Sequence, residues 1–593
     1  MKNGDLVKEI LHGRGYKTAA QQADFLNPDY EKSKHNPFLL PDMDTAVERL
    51  KQARDCGESV VIYGDYDIDG MTATILLEKV FRAFDIKVRT YTPNRFTEGY
   101  GMNSEAVARI GETDADLIVT VDCGSLNHSE IALARELDID VIVTDHHSVV
   151  ETMPPAVAVV NPKRMIYDEP DLYDKNFILK KPDEHPDLYP FADLCGCGVA
   201  FKLAQALQIV LNPKSSDDNK TNVAAGKIAR SAKNSAPGLP FGQEKWLLDL
   251  VALGTVCDVV GLVDENRANV KWGLEVLKKT RRPGLKALMA VAKIDPANID
   301  ARSLGFGLGP RLNAAGRLET AEYALELLRT DDPKIALELA YKLDELNQKR
   351  RREQDKIFAD AVKKVSENFA QDPVIVVSGA GWNEGVIGIV ASKLLEKFAR
   401  PAFVLAENGE FSKGSGRSFG DFSCAEIIHS TDDILEQGGG HLAAGGLTVR
   451  TERIDTWRAA VLDFYRAKNF PDQTKFLKPT ADIVREDLSG LDLELVENLT
   501  KLEPFGNANP TPIFAVENLI VKVRRTMGAA GQHVKYTFAD NLGNEIQAIA
   551  FGAADKFTAE IGQRVKIWIE LTVNEWRCSK TVEGRLLDLE IQE

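Results

Sequence analysis

Short apolar, β-branched runs alternate with helical patterns over about residues 40–210, and this alternation limits the possible folds more than any other feature. The runs are Val60-Val61-Ile62-Tyr63, Leu117-Ile118-Val119-Thr120-Val121, Val141-Ile142-Val143-Thr144 and Ala156-Val157-Ala158-Val159-Val160. Between them, Thr72 to Phe84 and Ser129 to Leu137 carry helical periodicity. Strands without an alternating polar face are buried on both sides, so the pattern predicts an α/β domain with a parallel sheet covered by helices.

At about 100–200 residues per domain, 593 residues predict three or four domains. The expected division is an N-terminal helical segment (1–45), a catalytic α/β domain (46–330), a connecting helix (331–370), a smaller α/β domain (371–468) and a C-terminal domain (469–593). Leu339, Leu343, Leu346, Ile357, Ala361 and Val365 stripe the connecting helix, around the basic centre Lys349-Arg350-Arg351-Arg352. The smaller domain shows a strand, Val374-Ile375-Val376-Val377, a helix from Val386 to Phe398, and the segment Gly438-Gly439-Gly440-His441. Runs at Val521–Arg525, His533–Phe538, Glu545–Phe551, Arg564–Leu571 and Arg585–Ile591 predict a small OB-like β-barrel. Two polar stretches, 165–190 and 212–242, read as inserted surface loops with partial mobility.

The net charge of −16 argues against nucleic acid as a partner only if charge is spread evenly. A local groove can still be cationic, and carboxylates gathered for metals inflate the formal negative charge. Seven dispersed cysteines build no disulfide framework, and Cys195-Gly196-Cys197 reads as buried free thiols rather than a zinc site. No apolar run reaches the roughly 20 residues a bilayer requires, and no leader pattern opens the chain. A soluble, cytoplasmic protein is expected, and a monomer, since nothing signals a coiled coil.

The chemistry concentrates at strand ends. After the first run come Asp65-Tyr66-Asp67-Ile68-Asp69-Gly70. Read as extended backbone, this places three aspartates on one face, where they repel unless a cation sits among them. The second run ends in Asp122-Cys123-Gly124 and the third in Asp145-His146-His147, while the apolar run Leu247 to Val256 leads to Asp258. Open α/β sheets place their sites at such ends. An acidic turn would explain the first segment alone, but not acids and two histidines converging from successive strands. The mixed oxygen and nitrogen donors suit Mn2+ or Mg2+, and such ions support phosphoester hydrolysis without a Ser, Cys or Lys nucleophile.

These segments resemble the successive motifs of the DHH phosphoesterase superfamily. Further segments resemble its single-strand-specific exonuclease branch: Pro93-Asn94-Arg95, Glu98-Gly99-Tyr100-Gly101, Leu194-Cys195-Gly196-Cys197-Gly198, Gly309-Pro310-Arg311-Leu312-Asn313-Ala314-Ala315-Gly316-Arg317, Trp382-Asn383-Glu384-Gly385 and Leu502-Glu503-Pro504-Phe505-Gly506. The resemblance implies metal ligands at Asp65, Asp67, Asp69, Asp122, His146 and Asp258, with Asp145 and His147 also catalytic. Relatives with a histidine where this chain has Tyr63 leave the number of ions at one or two. The smaller domain resembles DHHA1, which implies a 5′-phosphate held by Ser415 and Arg417 with Arg311, Asn313 or Arg317, and Gly440 and His441 beside the scissile group.

The implied activity is a 5′→3′ single-stranded-DNA exonuclease releasing 5′-mononucleotides in repair and recombination, with a single-strand binding protein and a RecQ-like helicase as implied partners. Two readings compete. A phosphodiesterase for cyclic dinucleotides or short oligonucleotides predicts faster cleavage of dinucleotides than of long strands. A non-catalytic DNA-binding scaffold predicts lost metal ligands, and every acidic and histidine motif is present. Arg524, Arg525, His533, Lys535 and Tyr536 are candidate strand contacts on the barrel.

Overall fold

The computed structural model describes residues 3–99, 101–212, 238–576 and 579–592. Tyr100, Cys578 and most of the expected second insertion lie outside the described residues. The chain divides into two compact units, 1–344 with 494–511 and 345–493 with 512–593. The C-terminal stretch expected as one domain is thus shared between them.

In the first unit, strands β1 (Ser59–Gly64), β2 (Lys87–Tyr91), β3 (Leu117–Val121), β4 (Asp140–Thr144) and β5 (Ala158–Val160) form one sheet in the order β2-β1-β3-β4-β5. Every pairing is parallel. Val61, Tyr63, Ile118, Val141 and Val143 pack one face against helix residues Ala106, Val107, Ile131 and Ala134. Parallel register aligns the strand ends, so the residues following β1, β3 and β4 emerge side by side.

Three sequence readings need correction. The helix after β1 starts at Ile68, not Thr72, because Asp67 caps it by accepting hydrogen bonds from the Asp69 and Gly70 amides. The run before Asp258, grouped with the strands above, is the helix Leu248–Cys257. Its residues up to Thr255 are buried all round, so the run lacks the periodicity that separates helix from strand. The first inserted stretch is anchored rather than loose. Tyr173, Leu179 and Tyr189 are buried, and the Tyr173 hydroxyl donates to the Tyr189 carbonyl.

The segment 494–511 completes the first unit. The Arg267 guanidinium, 2% exposed, donates to the carbonyls of Leu502, Pro504 and Glu503. The Leu262 amide donates to the Asn507 carbonyl, and the Asn507 side chain donates to the Val259 carbonyl. The loop following Asp258 is thereby clamped.

The helix Pro333–Asn368 contains the division between the units. Its basic centre is partly internal, since buried Arg350 donates to the side chains of Asn347 and Gln354. In the second unit, β6 (Ile375–Ala380), β7 (Ala402–Asn408), β8 (Phe411–Arg417), β9 (Leu435–Gly440) and β10 (Ala444–Arg450) form a mixed sheet in the order β6-β7-β8-β10-β9. The helix Ile387–Phe398 packs against it through Ile387, Val390, Ala391 and Leu394.

The barrel comprises β11 (Ile483–Arg485), β12 (Ile513–Met527), β13 (His533–Ala539), β14 (Glu545–Ala550), β15 (Arg564–Trp576) and β16 (Ser579–Gln592). Strands β12 to β16 run in the order β12-β13-β14-β16-β15, and a β12–β15 pairing closes the ring. Of the candidate strand contacts, Tyr536 is fully buried, with its hydroxyl bonded to the Phe557 carbonyl. Arg524 packs on that hydroxyl, Lys535 pairs with Glu583, and the His533 ring accepts from the Gly552 amide. Arg525 is exposed. Among the described residues, no helix is long and apolar enough to cross a membrane.

Candidate metal centre

Asp65 follows β1 directly, and Gly70 lets the next helix turn back onto it. A Cβ at Gly70 would lie 2.6 Å from the Asp65 carbonyl oxygen. The aspartate triplet is therefore not an extended run: Asp67 is the helix cap and Asp69 sits in the first turn. Asp122 leaves β3 with φ +62, a conformation that Asp tolerates better than most residues and that costs about 1–3 kcal/mol. Strained backbone at a strand end fits a residue placed for chemistry rather than packing.

The groups converge. His146 Nε2 lies 3.0 Å from Asp122 Oδ1, 3.7 Å from Asp258 Oδ2 and 3.8 Å from Asp69 Oδ2. Three overlapping sets can each hold a cation: Asp122, His146 and His147; Asp69, His146 and Asp258; Asp65, Asp67 and Asp122. Within each set, one donor atom per residue falls within 4.8 Å of the others. Backbone donors fix Asp69, whose carboxylate accepts from the Gly196 and Cys197 amides. Gly196 is required there, because a Cβ would stand 2.6 Å from Asp122 Cβ.

Burial makes this arrangement costly without a cation. Burial first, then Asp67, pushes the Asp65 carboxyl up to about 8 and that of Asp69 to about 6. Asp122 and Asp258 are raised well above the ordinary range by burial and by Asp69 and Asp67. Burial, then neighbouring His147, drives His146 down to about 3, so its ring is neutral and able to ligate. Asp65 Oδ1 and His146 Nε2 are buried without a hydrogen-bond partner among the described residues; the 3.0 Å approach of His146 to Asp122 lacks hydrogen-bond geometry. Raised carboxylates, a neutral imidazole and orphaned inward-facing atoms fit a hard divalent cation.

Asp145 differs. Its carboxylate accepts from the amides of Ser125, His146 and His147 and pairs with His147 Nδ1 at 2.8 Å. Against the pull of burial, the His147 hydrogen bond and charge hold Asp145 well below the carboxylate range. In return, Asp145 raises His147 despite that ring's own burial. Its oxygens are committed to protein donors, so Asp145 orients the histidines.

The other expected site residues divide. Asn313 accepts from the Ile68 amide at 3.1 Å, joining the helix Gly309–Leu318 to the acidic segment. Arg317, half-buried on that helix, exerts its charge on Tyr66. Arg311 is turned to other work: it pairs with Asp344 at 2.8 Å and donates to the Gly307 carbonyl. Tyr63 faces the core, its hydroxyl donating to the Gly101 carbonyl. Sequence reasoning missed Asn161, which donates to the His147 carbonyl and Ser125 Oγ, and Lys163, whose charge acts on His146 and Asp258. It also gave no role to Arg95, which lies 4.3 Å over the Tyr66 ring with its charge acting on Asp65. Only the quoted Pro93-Asn94-Arg95 segment signalled any of them.

In the second unit, Arg417 Nη1 donates to Ser415 Oγ at 3.1 Å and to the Gly416 carbonyl. A Cβ at Gly388, in the first turn of the helix Ile387–Phe398, would lie 2.9 Å from Ser415 Oγ and 3.1 Å from Arg417 Nη2. Hydroxyl, guanidinium and helix start make a cradle of the kind that receives phosphate. Ser415 stands in register with Gly446, and Gly446 with Gly439; side chains added at either glycine would meet nothing within 4 Å. Gly440 has φ +154, and the exposed His441 follows it.

Residues 59–255 match the model of the DHH family, N-terminal domain; residues 371–467 match the DHHA1 domain and 485–588 the RecJ OB domain. The chain is 35% identical over 595 residues to the single-stranded-DNA-specific exonuclease RecJ of Bacillus subtilis (strain 168), covering 99% of this chain and 68% of that one. The crystal structure of RecJ from Thermus thermophilus in complex with Mn2+ has a TM-score of 0.77 to this structure at 28% identity, covering 99% of this chain and 76% of that one. Its complex with Mg2+ gives 0.71 at 26% identity, covering 99% and 75%.

Proposed function

Because this chain belongs to the RecJ family of single-stranded-DNA-specific exonucleases, we propose that it hydrolyses single-stranded DNA from the 5′ end, releasing 5′-mononucleotides. The observation that carries this reading is the buried convergence of Asp69, Asp122, His146 and Asp258, with Asp65 and Asp67 alongside. Those six residues would hold Mn2+ or Mg2+. When bound, one or two such ions activate water and stabilise the leaving oxygen of a phosphodiester.

The protein's own contribution is placement. Asp145 holds the His147 ring beside the acidic cluster, 3.9 Å from Asp122 Oδ1, where it would serve as a metal ligand or a substrate contact. The Gly196 and Cys197 amides and the Asp67 cap fix the carboxylates before substrate arrives. Ser415 and Arg417 would bind the 5′-terminal phosphate, which would give the enzyme its direction, and Gly440 and His441 are the further substrate contacts that the family resemblance implies. Arg311, which pairs with Asp344, is proposed as a further phosphate contact together with Asn313 and Arg317, all three on the helix that borders the acidic segment.

The barrel supplies further strand contacts. Cytoplasmic location and a monomeric state, both expected from the sequence, complete the proposal, together with cooperation with a single-strand binding protein and a RecQ-like helicase, which rests on the resemblance alone.

The test is a time course with Mn2+ on a 5′-phosphorylated single strand labelled at its 3′ end, beside the matching blunt duplex and the Asp122→Ala protein. Progressive shortening of the single strand only, absent in the variant, is expected. An intact strand would overturn the catalytic reading, and cleavage confined to dinucleotides would replace it with the small-substrate one.

A further inference from the structure

Far from the acidic cluster, the first unit contains a cavity of about 360 Å³ whose lining carries five cations against the carboxylates of Glu78, Asp249 and Asp331. Lys79 and Arg82 come from the helix Ile68–Ala83, Arg281 and Arg282 from the turn before the helix Pro283–Ala292, and Arg329 from the end of Glu322–Arg329. Lys79 lies ten residues beyond Asp69, about 15 Å along the helix axis. Asp249, also in the lining, starts the helix that Asp258 ends. The cavity therefore sits at the opposite ends of both helices from the candidate metal centre.

Three of these cations are neutralised where they stand. Arg82 and Arg329 pair with Glu78, and Arg282 pairs with Asp249. Lys79 and Arg281 have no carboxylate within ion-pair distance among the described residues. Burial, then Arg282, pulls the Lys79 ammonium below its ordinary value, against the opposing pull of the Asp249 and Asp331 carboxylates. Arg281 instead stacks on Trp246, 4.3 Å from the ring centroid. That ring is 38% exposed and also borders a second cavity of about 520 Å³, with Tyr30 and Trp272 in its walls. One side of Trp246 thus offers positive charge outside the ion pairs, and the other a recess in which Tyr30 and Trp272 stand beside the carboxylates of Asp29, Glu31 and Glu275.

We propose that this cationic cavity and the adjoining aromatic recess form an accessory binding site for a nucleotide, with Lys79 and Arg281 receiving the phosphate and Trp246 bordering the base. The nucleotide can be a free nucleoside monophosphate or one unit of a single strand; the chemistry is shared. The site is independent of the hydrolytic reading above, since it uses none of the same residues.

The test uses the full chain in EDTA, with dAMP and inorganic phosphate titrated by calorimetry while tryptophan fluorescence is followed. Expected are quenching by dAMP, and affinity for both probes at least about tenfold lower in Lys79→Gln and Arg281→Gln. Arg281→Lys should recover part of the loss, which separates charge from misfolding, and Arg417→Ala should retain this binding. Unchanged isotherms in both charge-removing variants, or binding lost in Arg417→Ala, would overturn the site. A 5′-hydroxyl oligodeoxynucleotide titrated into Asp122→Ala proteins identifies the source. Weaker strand binding on adding Lys79→Gln supports a strand unit, and unchanged strand binding with lost dAMP binding supports the free nucleotide.

Discussion

The edge of the first sheet and the face of the second bring polar groups together in opposite ways. After β1, β3 and β4, carboxylates are buried against one another, and Asp65, Asp69, Asp122 and Asp258 are all raised above their ordinary values. On the second sheet, Ser415 and Arg417 bond to each other and to backbone, beside glycines that open onto empty space. The first arrangement is incomplete without a cation; the second is satisfied as it stands and waits for an anion. A removable cation controls one, whereas packing beneath the sheet maintains the other.

The largest effect should come from breaking the acidic side. Asp69→Asn or Asp122→Ala should lower hydrolysis of single-stranded DNA by more than the roughly 10–100-fold typical of losing a partner that only orients a ligand. Asp145→Asn should fall inside that span and weaken Mn2+ binding. If Asp145→Asn proved as severe as Asp69→Asn in a metal titration, the distinction between them would fail. On the other sheet, Arg417→Ala should raise KM for a 5′-phosphorylated strand by about 10–100-fold, the worth of a charge-assisted hydrogen bond. The same substitution should barely change KM for a 5′-hydroxyl strand, and equal losses on both would remove the assigned phosphate contact.

A smaller effect sharpens the contrast through pH. Asp65 ionises near 3.8 in an unfolded chain and near about 8 in the metal-free fold. Its stabilising contribution is full at low pH and is lost as pH rises toward 8. Asp122 and Asp258 act in the same direction, as does His147, whose folded value is also raised. His146, at about 3 when folded, opposes them only below its unfolded value of 6.5. Between pH 6.5 and 8, the protein in EDTA should therefore melt at falling temperatures, by a few degrees. Mn2+ should cancel the trend by displacing the protons. A rise over that interval without metal would count against the buried carboxylate cluster.

The smallest effect tests the second sheet alone. A Cβ at Gly416 would fall 2.2 Å from Phe403 Cε1, while one at Gly446 meets nothing. Gly416→Ala should cost about 1–3 kcal/mol in denaturant unfolding and Gly446→Ala close to none. Equal costs would show that the two faces are not as different as they stand here.

Sequence made the strand ends legible because β-branched runs and the acids after them are local signals. It misplaced Asp69 into an extended run, since the cap that starts the helix at Asp67 competes with alternation over the same few residues. It grouped Leu247–Val256 with strands because a run buried on every side has no period. Arg311 and Arg317 look alike in sequence, and the Asp344 and Gly307 contacts of the first show only in the fold. Tyr536 read as a strand contact, yet it fills the barrel. The failures have different causes: a local cap for Asp69, a missing period for Leu247–Val256, and partners distant in sequence for Arg311 and Tyr536.

The clamp on the loop after Asp258 has a consequence for the order of events during synthesis. Arg267 and its partner Leu502 are 235 residues apart. At roughly 5–20 residues per second, the ribosome needs on the order of 10–50 s between them. Throughout that interval the acidic segments have already emerged, but the strap that fastens their last member has not. A chaperone that shields the nascent first unit until that strap arrives would do more for the yield of active protein than one acting after release.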